Sequence, residues 1–244
     1  MISNRTPRSR RAAVALVAIL ATATLATGCG AASSGRSATT AAKPADHRSV
    51  VVRPTATVEV HTTPDDKSPT RLLQPTTEFG SPRALLVTDQ VDGWVEVLVP
   101  GRPTGATGWV TEDQAGVAHA IKSEIRVDLK ARTLTLVEDG KTVLSTSVAI
   151  GAPESPTPTG RFSVTDKLDT QNPNGVYGQY AFGLSGRSEV ITEFAGGDGQ
   201  IGIHGTNAPD SIGKPISHGC IRVPNEVMAQ LNRVLSLGTP VVVS

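Results

Sequence analysis

Two histidines and a cysteine near the C-terminus have the residue types needed for nucleophilic catalysis. Cys220 follows His218 by two residues in the stretch ISHGCIRV, and His204 ends the earlier stretch IGIH. A free thiol has a pKa of about 8.5, so attack on a carbonyl at neutral pH needs a neighbouring base or cation. His204 is the preferred base, because an imidazole at the end of a strand can face a cysteine that begins another element, whereas a histidine two residues away usually points elsewhere.

Backbone and polar groups beside these residues would complete such a site. The N–H groups of Gly219 and Cys220 could face the oxyanion of an attacked carbonyl, and the carbonyl of Gly205 could orient the neighbouring imidazole. Arg222 suits a substrate carboxylate or phosphate, or equally a surface ion pair. Ser217 could hydrogen-bond within the turn before the thiol.

Two other interpretations of these side chains stay open. His204, His218 and Cys220 are zinc-ligand types, although a histidine and a cysteine two apart in a glycine turn lack the usual metal spacing and the chain has no paired cysteines. The thiol could also be an inert core residue, the usual fate of free cysteine. We expect no cofactor and no metal.

The first 28 residues have the composition of an export signal. Four arginines precede an apolar run at residues 12–25, which is short for a membrane span, and small residues then lead to Cys29 in ATGC. Cys29 resembles the lipidated cysteine of a bacterial lipobox, with an ordinary secretory signal as the alternative. We therefore expect residues 1–28 to be removed and the protein to reach the cell envelope, anchored to the outer face of the cytoplasmic membrane through lipidated Cys29.

Charge argues against a nucleic-acid partner. The 244-residue chain has a net charge of +1, and loss of the four signal-peptide arginines changes that value to about −3. Residues 29–49 are mostly small and polar and predict a flexible linker. If Cys29 is lipidated, Cys220 has no intramolecular disulfide partner.

Short apolar alternations predict the elements that position the reactive groups. Runs at residues 58–60, 84–88, 94–99 and 108–110, each bounded by Gly, Pro or Asp, predict a small β module over residues 50–116. The repeated Gly-Trp-Val edges in GWVEVLVPGRPTGATGWV resemble bacterial SH3-like barrels, modules that often bind cell-wall peptides. The predicted architecture is therefore mainly β from this barrel onward.

Residues 120–244 continue this pattern into a second domain. Alternation at residues 125–129 and 134–136, followed after the Asp139-Gly140 turn by Val143 and Val148, predicts a β-meander. Further strands are expected at residues 160–164, 180–184, 200–204 and 240–243. One helix is predicted in PNEVMAQLNRVLSLG, with its apolar face at positions 227, 228, 231, 234 and 235, Asn225 as its cap and Gly238 as its stop.

The reactive residues stand in a pattern that resembles the YkuD family, the L,D-transpeptidase catalytic domain. That family has His-Gly-Thr followed after a loop by Ser-His-Gly-Cys and an apolar residue with Arg or Asn, which HGT at 204–206 and SHGCIR at 217–222 match. The stretches IRVDLKARTLTL, PTPTGRF, YGQYAFGLS and GTPVVV also match. The resemblance covers about the last 125 residues and implies a YkuD-type β-sandwich or barrel with one helix.

The resemblance implies a cysteine acyltransferase of peptidoglycan synthesis. Cys220 would attack the bond between an L-centre and D-Ala in a tetrapeptide stem, release D-Ala and form a thioester, which an amine acceptor would resolve into a 3-3 cross-link. His204 would be the base and the Gly205 carbonyl would orient it, while Gly219, His218 and Ser217 would shape the oxyanion site. Carbapenem β-lactams are the expected covalent inhibitors, and peptidoglycan stem peptides the expected partners.

Two functional alternatives remain beside the transferase. A cell-wall peptide thiol hydrolase (L,D-carboxypeptidase) would share every step until water replaces the amine. A non-catalytic, lipid-anchored wall-binding protein would carry an idle thiol at Cys220.

Overall fold

The computed structural model describes residues 48–193 and 196–244. Strands dominate this part of the chain and one helix exceeds a single turn, which confirms the predicted mainly β class. The predicted export signal, Cys29 and the linker up to residue 47 lie outside the described residues. Within the described ranges, no helix has the length and apolar character needed to cross a membrane.

The first group of strands forms an antiparallel sheet of seven, in the order β3-β2-β6-β5-β4-β1-β7. Alternate side chains of these strands point to one face, so Val58, Leu85 and Val97 form part of a core that belongs to this sheet alone. The elements are β1 (Ser49–Arg53), β2 (Val58–His61), β3 (Thr70–Leu73), β4 (Leu85–Val91), β5 (Trp94–Leu98), β6 (Thr107–Thr111), the one-turn helix α1 (Glu112–Ala115) and β7 (Val117–Ile121).

The second group forms an eight-stranded mixed sheet, in the order β10-β9-β8-β17-β12-β13-β14-β16. Two junctions are parallel, β8 with β17 and β14 with β16. The elements are β8 (Ser123–Asp128), β9 (Thr133–Glu138), β10 (Lys141–Ser147), β11 (Ile150–Gly151), β12 (Gly160–Asp169), β13 (Tyr180–Arg187), β14 (Gln200–His204), a 3₁₀ turn (Pro209–Ser211), β15 (Pro215–Ser217), β16 (Ile221–Arg222), α2 (Asn225–Val234) and β17 (Pro240–Val243). β11 and β15 pair separately, in parallel.

The core of this second sheet lies beneath the strands that carry the reactive residues. Phe162, Phe182 and Ile203 are among its largest fully buried side chains. Met228 and Leu231 of α2 join the same apolar cluster. The helix therefore supports the β13-β14 region from below.

The ends of the helix differ from the sequence prediction. The N-cap position is Pro224, and Asn225 is the first helical residue rather than the cap. α2 stops at Val234, before Gly238, because Leu235 is already extended. Val234, predicted on the apolar face, is 48% exposed, whereas Leu235 is 3% exposed and buried.

A second difference concerns the outer strand of the meander. Val143, one of the apolar residues in the alternation that predicts the meander, is 53% exposed. The pairing of β10 with β9 shifts between Thr142 and Leu144, and such a bulge reverses which residues face the core. Leu144 consequently packs against the core in its place.

Candidate active site

His204 and Cys220 come together because β14 and β16 are parallel neighbours. The pairing sets Ile203 against Ile221 and His204 against Arg222, so Cys220, one residue before β16, lies level with Gly202. Side chains two residues apart on a strand share a face, which places the imidazole and the thiol on the same side of the sheet. Standard strand spacing puts their Cα atoms roughly 8 Å apart. A distance of that order lets a histidine and a cysteine side chain meet.

The His204 ring is held in one orientation. Its Nδ1 lies 2.6 Å from the carbonyl oxygen of Gly205, which can only accept, so Nδ1 carries the proton and Nε2 is left as the acceptor. The ring of Tyr177 meets the imidazole edge-on at a centroid distance of 4.8 Å. The loop after the histidine is fixed by Asn225, which accepts from Thr206 N–H at 2.8 Å and donates to Thr206 O at 3.0 Å.

The turn before the thiol is fastened by two buried hydroxyl groups. Ser217 Oγ accepts from Gly219 N–H at 3.1 Å and donates to Cys220 O at 2.5 Å. Thr157 Oγ1 donates to Gly219 O at 2.8 Å and accepts from Gly151 N–H at 2.9 Å. Both peptide groups that flank Cys220 are therefore anchored through their carbonyl oxygens.

This arrangement affects the two predicted oxyanion donors, the N–H groups of Gly219 and Cys220, differently. The N–H of Gly219 already donates to Ser217 within the turn, so it is not directed at a substrate. The N–H of Cys220 belongs to the peptide group whose carbonyl Thr157 holds, and in a planar trans peptide the N–H and C=O point in opposite directions. The Cys220 N–H is thus aimed away from the buried hydroxyl.

Burial keeps both reactive groups neutral. It raises the pKa of the Cys220 thiol, although a backbone hydrogen bond with Gly202 and the charge of Arg222 act in the other direction. Burial also lowers the pKa of His204 to about 4, a hydrogen bond with Gly205 opposes the shift, and the charge of Arg222 adds to it. At neutral pH the resting pair is a thiol beside a neutral imidazole, which suits proton transfer during attack rather than a standing ion pair.

Of the other predicted site residues, Arg222 lies near the reactive pair, whereas His218 lies outside the cavity. Arg222 is half-buried with its Nε buried and without a hydrogen-bond partner, and it lies near enough to influence both reactive groups. His218 is exposed and does not line the cavity that contains the thiol. Over residues 48–193 and 196–244, no three His, Cys, Asp or Glu side chains are grouped so that they could hold a metal ion.

The thiol opens into a cavity of about 530 Å³. Strand and loop residues of the second sheet supply most of the wall, including Tyr177, Phe182, Gly202, His204 and Cys220. The walls are largely apolar, and such concave sites with few polar groups are typical of ligand pockets.

Several residues of this site were not found by sequence reasoning. Thr157 lies within the quoted PTPTGRF stretch, but nothing in that stretch shows that its hydroxyl reaches Gly219, 62 positions away. Asn225 was interpreted as a helix cap, since its place before an apolar run is the usual signal for one. Glu78 and Phe79, which also line the cavity, come from the first sheet and have no sequence signal that links them to the thiol.

Comparison with known proteins defines the class of this chain. The family model of the YkuD L,D-transpeptidase catalytic domain matches residues 122–243, half of the chain. The chain is 34% identical to the Bacillus subtilis L,D-transpeptidase YkuD over 126 residues, which are 52% of this chain and 68% of that protein. It is 32% identical to the Bacillus licheniformis YkuD over 152 residues, 60% of this chain and 84% of that protein.

Solved structures also align with part of this chain. The chain aligns with the catalytic domain of an Enterococcus faecium L,D-transpeptidase acylated by ertapenem, at 31% identity over 52% of this chain and 99% of that one, with a TM-score of 0.38. The family match and the curated relatives define an L,D-transpeptidase. The chain belongs to the YkuD family and is an enzyme of that class.

Proposed function

We propose that this protein is a peptidoglycan L,D-transpeptidase that forms 3-3 cross-links through a thioester on Cys220. The observation that carries the proposal is the placement of His204 and Cys220 on one face of two paired parallel strands, offset by two residues, with Nδ1 of the imidazole engaged by Gly205 and both side chains lining one cavity. A nucleophile, a base and a group that orients the base are the minimum for acyl transfer.

In the first half-reaction, His204 Nε2 takes the proton of the Cys220 thiol as Sγ attacks the carbonyl carbon of the third stem residue. The Cys220 N–H donates to the oxyanion of the tetrahedral intermediate. The intermediate collapses with cleavage of the C–N bond, and the proton on Nε2 passes to the nitrogen of the departing D-Ala. A thioester remains on Cys220.

In the second half-reaction, an amine of the acceptor attacks the thioester carbonyl. His204 accepts the amine proton and returns it to Sγ as the C–S bond breaks. The neutral state of His204 at rest suits both proton acceptances. Arg222, on the same face, suits a carboxylate of either stem.

We also propose the location and the accessory region that the sequence predicts. The protein would be exported and anchored to the outer face of the cytoplasmic membrane through lipidated Cys29, and residues 50–116 would be an SH3-like module. Support comes from the basic and apolar segments that precede Cys29 and from the repeated Gly-Trp-Val stretches.

The experiment that tests the proposal is acylation by a carbapenem, followed by mass spectrometry of the full chain. We expect one drug mass to be added to the native protein and none to the Cys220→Ala variant, because the β-lactam carbonyl meets the same thiol. An unchanged mass for the native protein would contradict the assignment of Cys220 as the nucleophile.

Product analysis then separates transferase from hydrolase. With a disaccharide tetrapeptide as the sole substrate, the transferase gives dimers linked through two third-position residues. Release of tripeptide alone would favour the L,D-carboxypeptidase, and the absence of both products would favour an idle thiol.

A further inference from the structure

The cavity above the thiol is not built by the catalytic domain alone. Residues of the matched region, 122–243, supply the wall around Cys220 and His204. The lining also includes Glu78 and Phe79, which belong to loop 74–84 between β3 and β4 of the first sheet. A substrate that fills this cavity therefore contacts both parts of the chain.

Loop 74–84 is a closed hairpin with a defined tip. A bridge joins Thr76 and Pro82 at its base, and the N–H of Thr77 donates to Ser81 O at 2.9 Å. Gly80 has φ of +79°, a left-handed conformation that a turn at this point requires and that glycine adopts without strain. The tip presents Phe79, which is 52% exposed.

A hydrogen bond between the two sheets ties this hairpin to the catalytic domain. Thr77 Oγ1 donates to Asp166 Oδ1 at 2.5 Å, and Asp166, in β12, is 1% exposed. The other oxygen of that carboxylate accepts from Thr165 Oγ1 at 2.8 Å. The residue directly before Glu78 is thus tied to a buried group of the catalytic domain.

Further contacts hold the two parts of the chain together near the hairpin. Gly101 N–H donates to Ser185 O at 2.9 Å, and Thr104 Oγ1 donates to Arg187 O at 3.0 Å. Arg102 donates to Ser188 O at 2.9 Å. These bonds join loop 100–104 of the first sheet to the end of β13.

Glu78 gives this cavity its charge. Among the described residues that line it, Glu78 has the one carboxylate, and the others are apolar, glycine or neutral polar groups apart from the thiol and the imidazole. Arg83, the cation nearest in sequence, donates to the carbonyl oxygens of Gln74 at 3.0 Å and Thr76 at 2.9 Å, and it also lies near enough to Glu78 for their charges to interact. A carboxylate in a mostly apolar recess attracts a cationic group of the ligand.

We propose that Glu78 binds the side-chain ammonium of the third residue of the donor stem, with Phe79 covering the aliphatic part of that residue. This inference rests on the proposed function. A carboxylate keeps an amine protonated, and a protonated amine cannot attack a thioester. The amine held by Glu78 is therefore the non-reacting one of the donor, and the first sheet takes part in choosing the donor.

The test compares two disaccharide tetrapeptides, one with a free side-chain amine on the third residue and one with that amine acetylated. D-Ala release in the first turnover reports the first half-reaction alone, and KM and kcat below are the half-saturating concentration and maximal rate of that turnover, because the acetylated peptide lacks the acceptor amine that would resolve the thioester. For the native protein we expect acetylation to raise KM about tenfold with little change in kcat. Glu78→Gln should raise KM for the free amine by about the same factor and remove the response to acetylation.

Two further variants complete the design. Phe79→Ala should raise KM for both peptides by one common factor, because it removes apolar contact and not charge. Glu112→Gln changes an exposed glutamate of α1, outside the cavity lining, and it should leave both KM values unchanged. Alkylation of Cys220 by iodoacetamide, read by peptide mapping, should proceed at the native rate in all three variants.

The outcomes distinguish the two proposals. If the native protein releases D-Ala and Glu78→Gln still discriminates against the acetylated peptide, the role of Glu78 is wrong and the acylation of Cys220 stands. If the native protein neither releases D-Ala nor becomes acylated on Cys220, the proposed function falls and this inference falls with it.

Discussion

Two parts of the chain meet at the cavity, the 217–220 turn beneath the thiol and loop 74–84 at its edge, and they are held in different ways. Ser217 and Thr157 are 2% and 4% exposed; Ser217 makes two hydrogen bonds within the turn, and Thr157 makes one to the turn and one to Gly151. The loop projects Phe79 into solvent and is tied to the catalytic domain through Thr77.

The rigid turn suits the chemical reaction, whereas the more exposed loop suits recognition of the substrate. Attack by Sγ and donation to an oxyanion need atoms held within a few tenths of an ångström, which buried and doubly bonded hydroxyl groups provide. Binding of a flexible peptide tolerates more movement, so an exposed hairpin is sufficient for it. Variants of the turn should therefore lower kcat, whereas variants of the loop should raise KM.

The largest effect after loss of the nucleophile is expected at His204. His204→Gln should slow D-Ala release by about 10³-fold, since it removes the proton acceptor and general bases contribute about 10²–10⁴-fold. The matched control is His218→Gln, which changes an exposed histidine two residues from the thiol and should cost less than about threefold. An equal loss in both variants would contradict the assignment of His204 as base.

Thr157→Val tests whether the turn positions the oxyanion donor. The variant keeps the shape of the side chain but leaves Gly219 O and Gly151 N–H without their buried partner, so we expect about a 30-fold loss of kcat and about 2 kcal/mol of unfolding free energy. Thr157→Ser retains the hydroxyl and should behave nearly as the native protein.

A reaction of Cys220 that forms no oxyanion shows whether Thr157 positions the Cys220 N–H or only supports the fold of the turn. Alkylation of Cys220 by iodoacetamide passes through no tetrahedral intermediate, so its rate in Thr157→Val should stay close to native while acylation by a carbapenem slows. Parallel loss of both rates would mean that the hydroxyl supports the fold of the turn and has no specific role in directing the Cys220 N–H.

The pH dependence of acylation tests whether the imidazole of His204 is neutral in the resting enzyme. Only the neutral imidazole accepts a proton, and the pKa of His204 is lowered to about 4 by burial, so acylation should be retained as pH falls to 5.5 and fall to about half near pH 4. A histidine with the ordinary pKa of about 6.5 would be about nine-tenths protonated at pH 5.5 and would show close to a tenfold loss. Rates of carbapenem acylation measured between pH 4 and 8 distinguish these profiles.

The same shift has a consequence for stability. Below pH 6.5 the imidazole of the unfolded chain binds a proton, whereas that of the folded chain does not until about pH 4. The free energy of unfolding is thus unaffected by this group above its unfolded pKa, and falls by on the order of 3 kcal/mol as pH drops from 6.5 to 4. His204→Gln should remove this part of the acid dependence in denaturant titrations.

The turn and the loop also differ in how far their sequence reveals them. The HGT and SHGC stretches predicted a base and a nucleophile, and strand periodicity predicted that His204 ends β14. These signals are local, with residue types and spacings that reflect the chemistry directly. The mainly β class follows in the same way from alternation along short runs.

Contacts between distant segments were beyond reach of that reasoning. Thr157 meets Gly219 across 62 residues and Thr77 meets Asp166 across 89, and no periodicity encodes such pairs. The bulge at Val143 depends on how β10 pairs with β9. Asn225 does not cap the helix as predicted, because its side chain bonds Thr206, a residue that comes near it only in the folded chain. Tertiary context decided each of these positions.

The smallest predicted effect concerns the tether of the loop. Thr77→Val removes the hydroxyl that donates to Asp166, so the hairpin should sample positions in which Glu78 no longer faces the cavity. We expect KM for the free-amine tetrapeptide to rise about threefold with kcat unchanged, an effect within the range of one lost hydrogen bond. Thr107→Val is the control, because Thr107 in the same sheet makes an exposed bond to Glu96 at 2.8 Å, outside the cavity lining. A fall in kcat for Thr77→Val would show that the loop influences the reacting atoms themselves, and the separation between a turn for reaction and a loop for recognition would then be wrong.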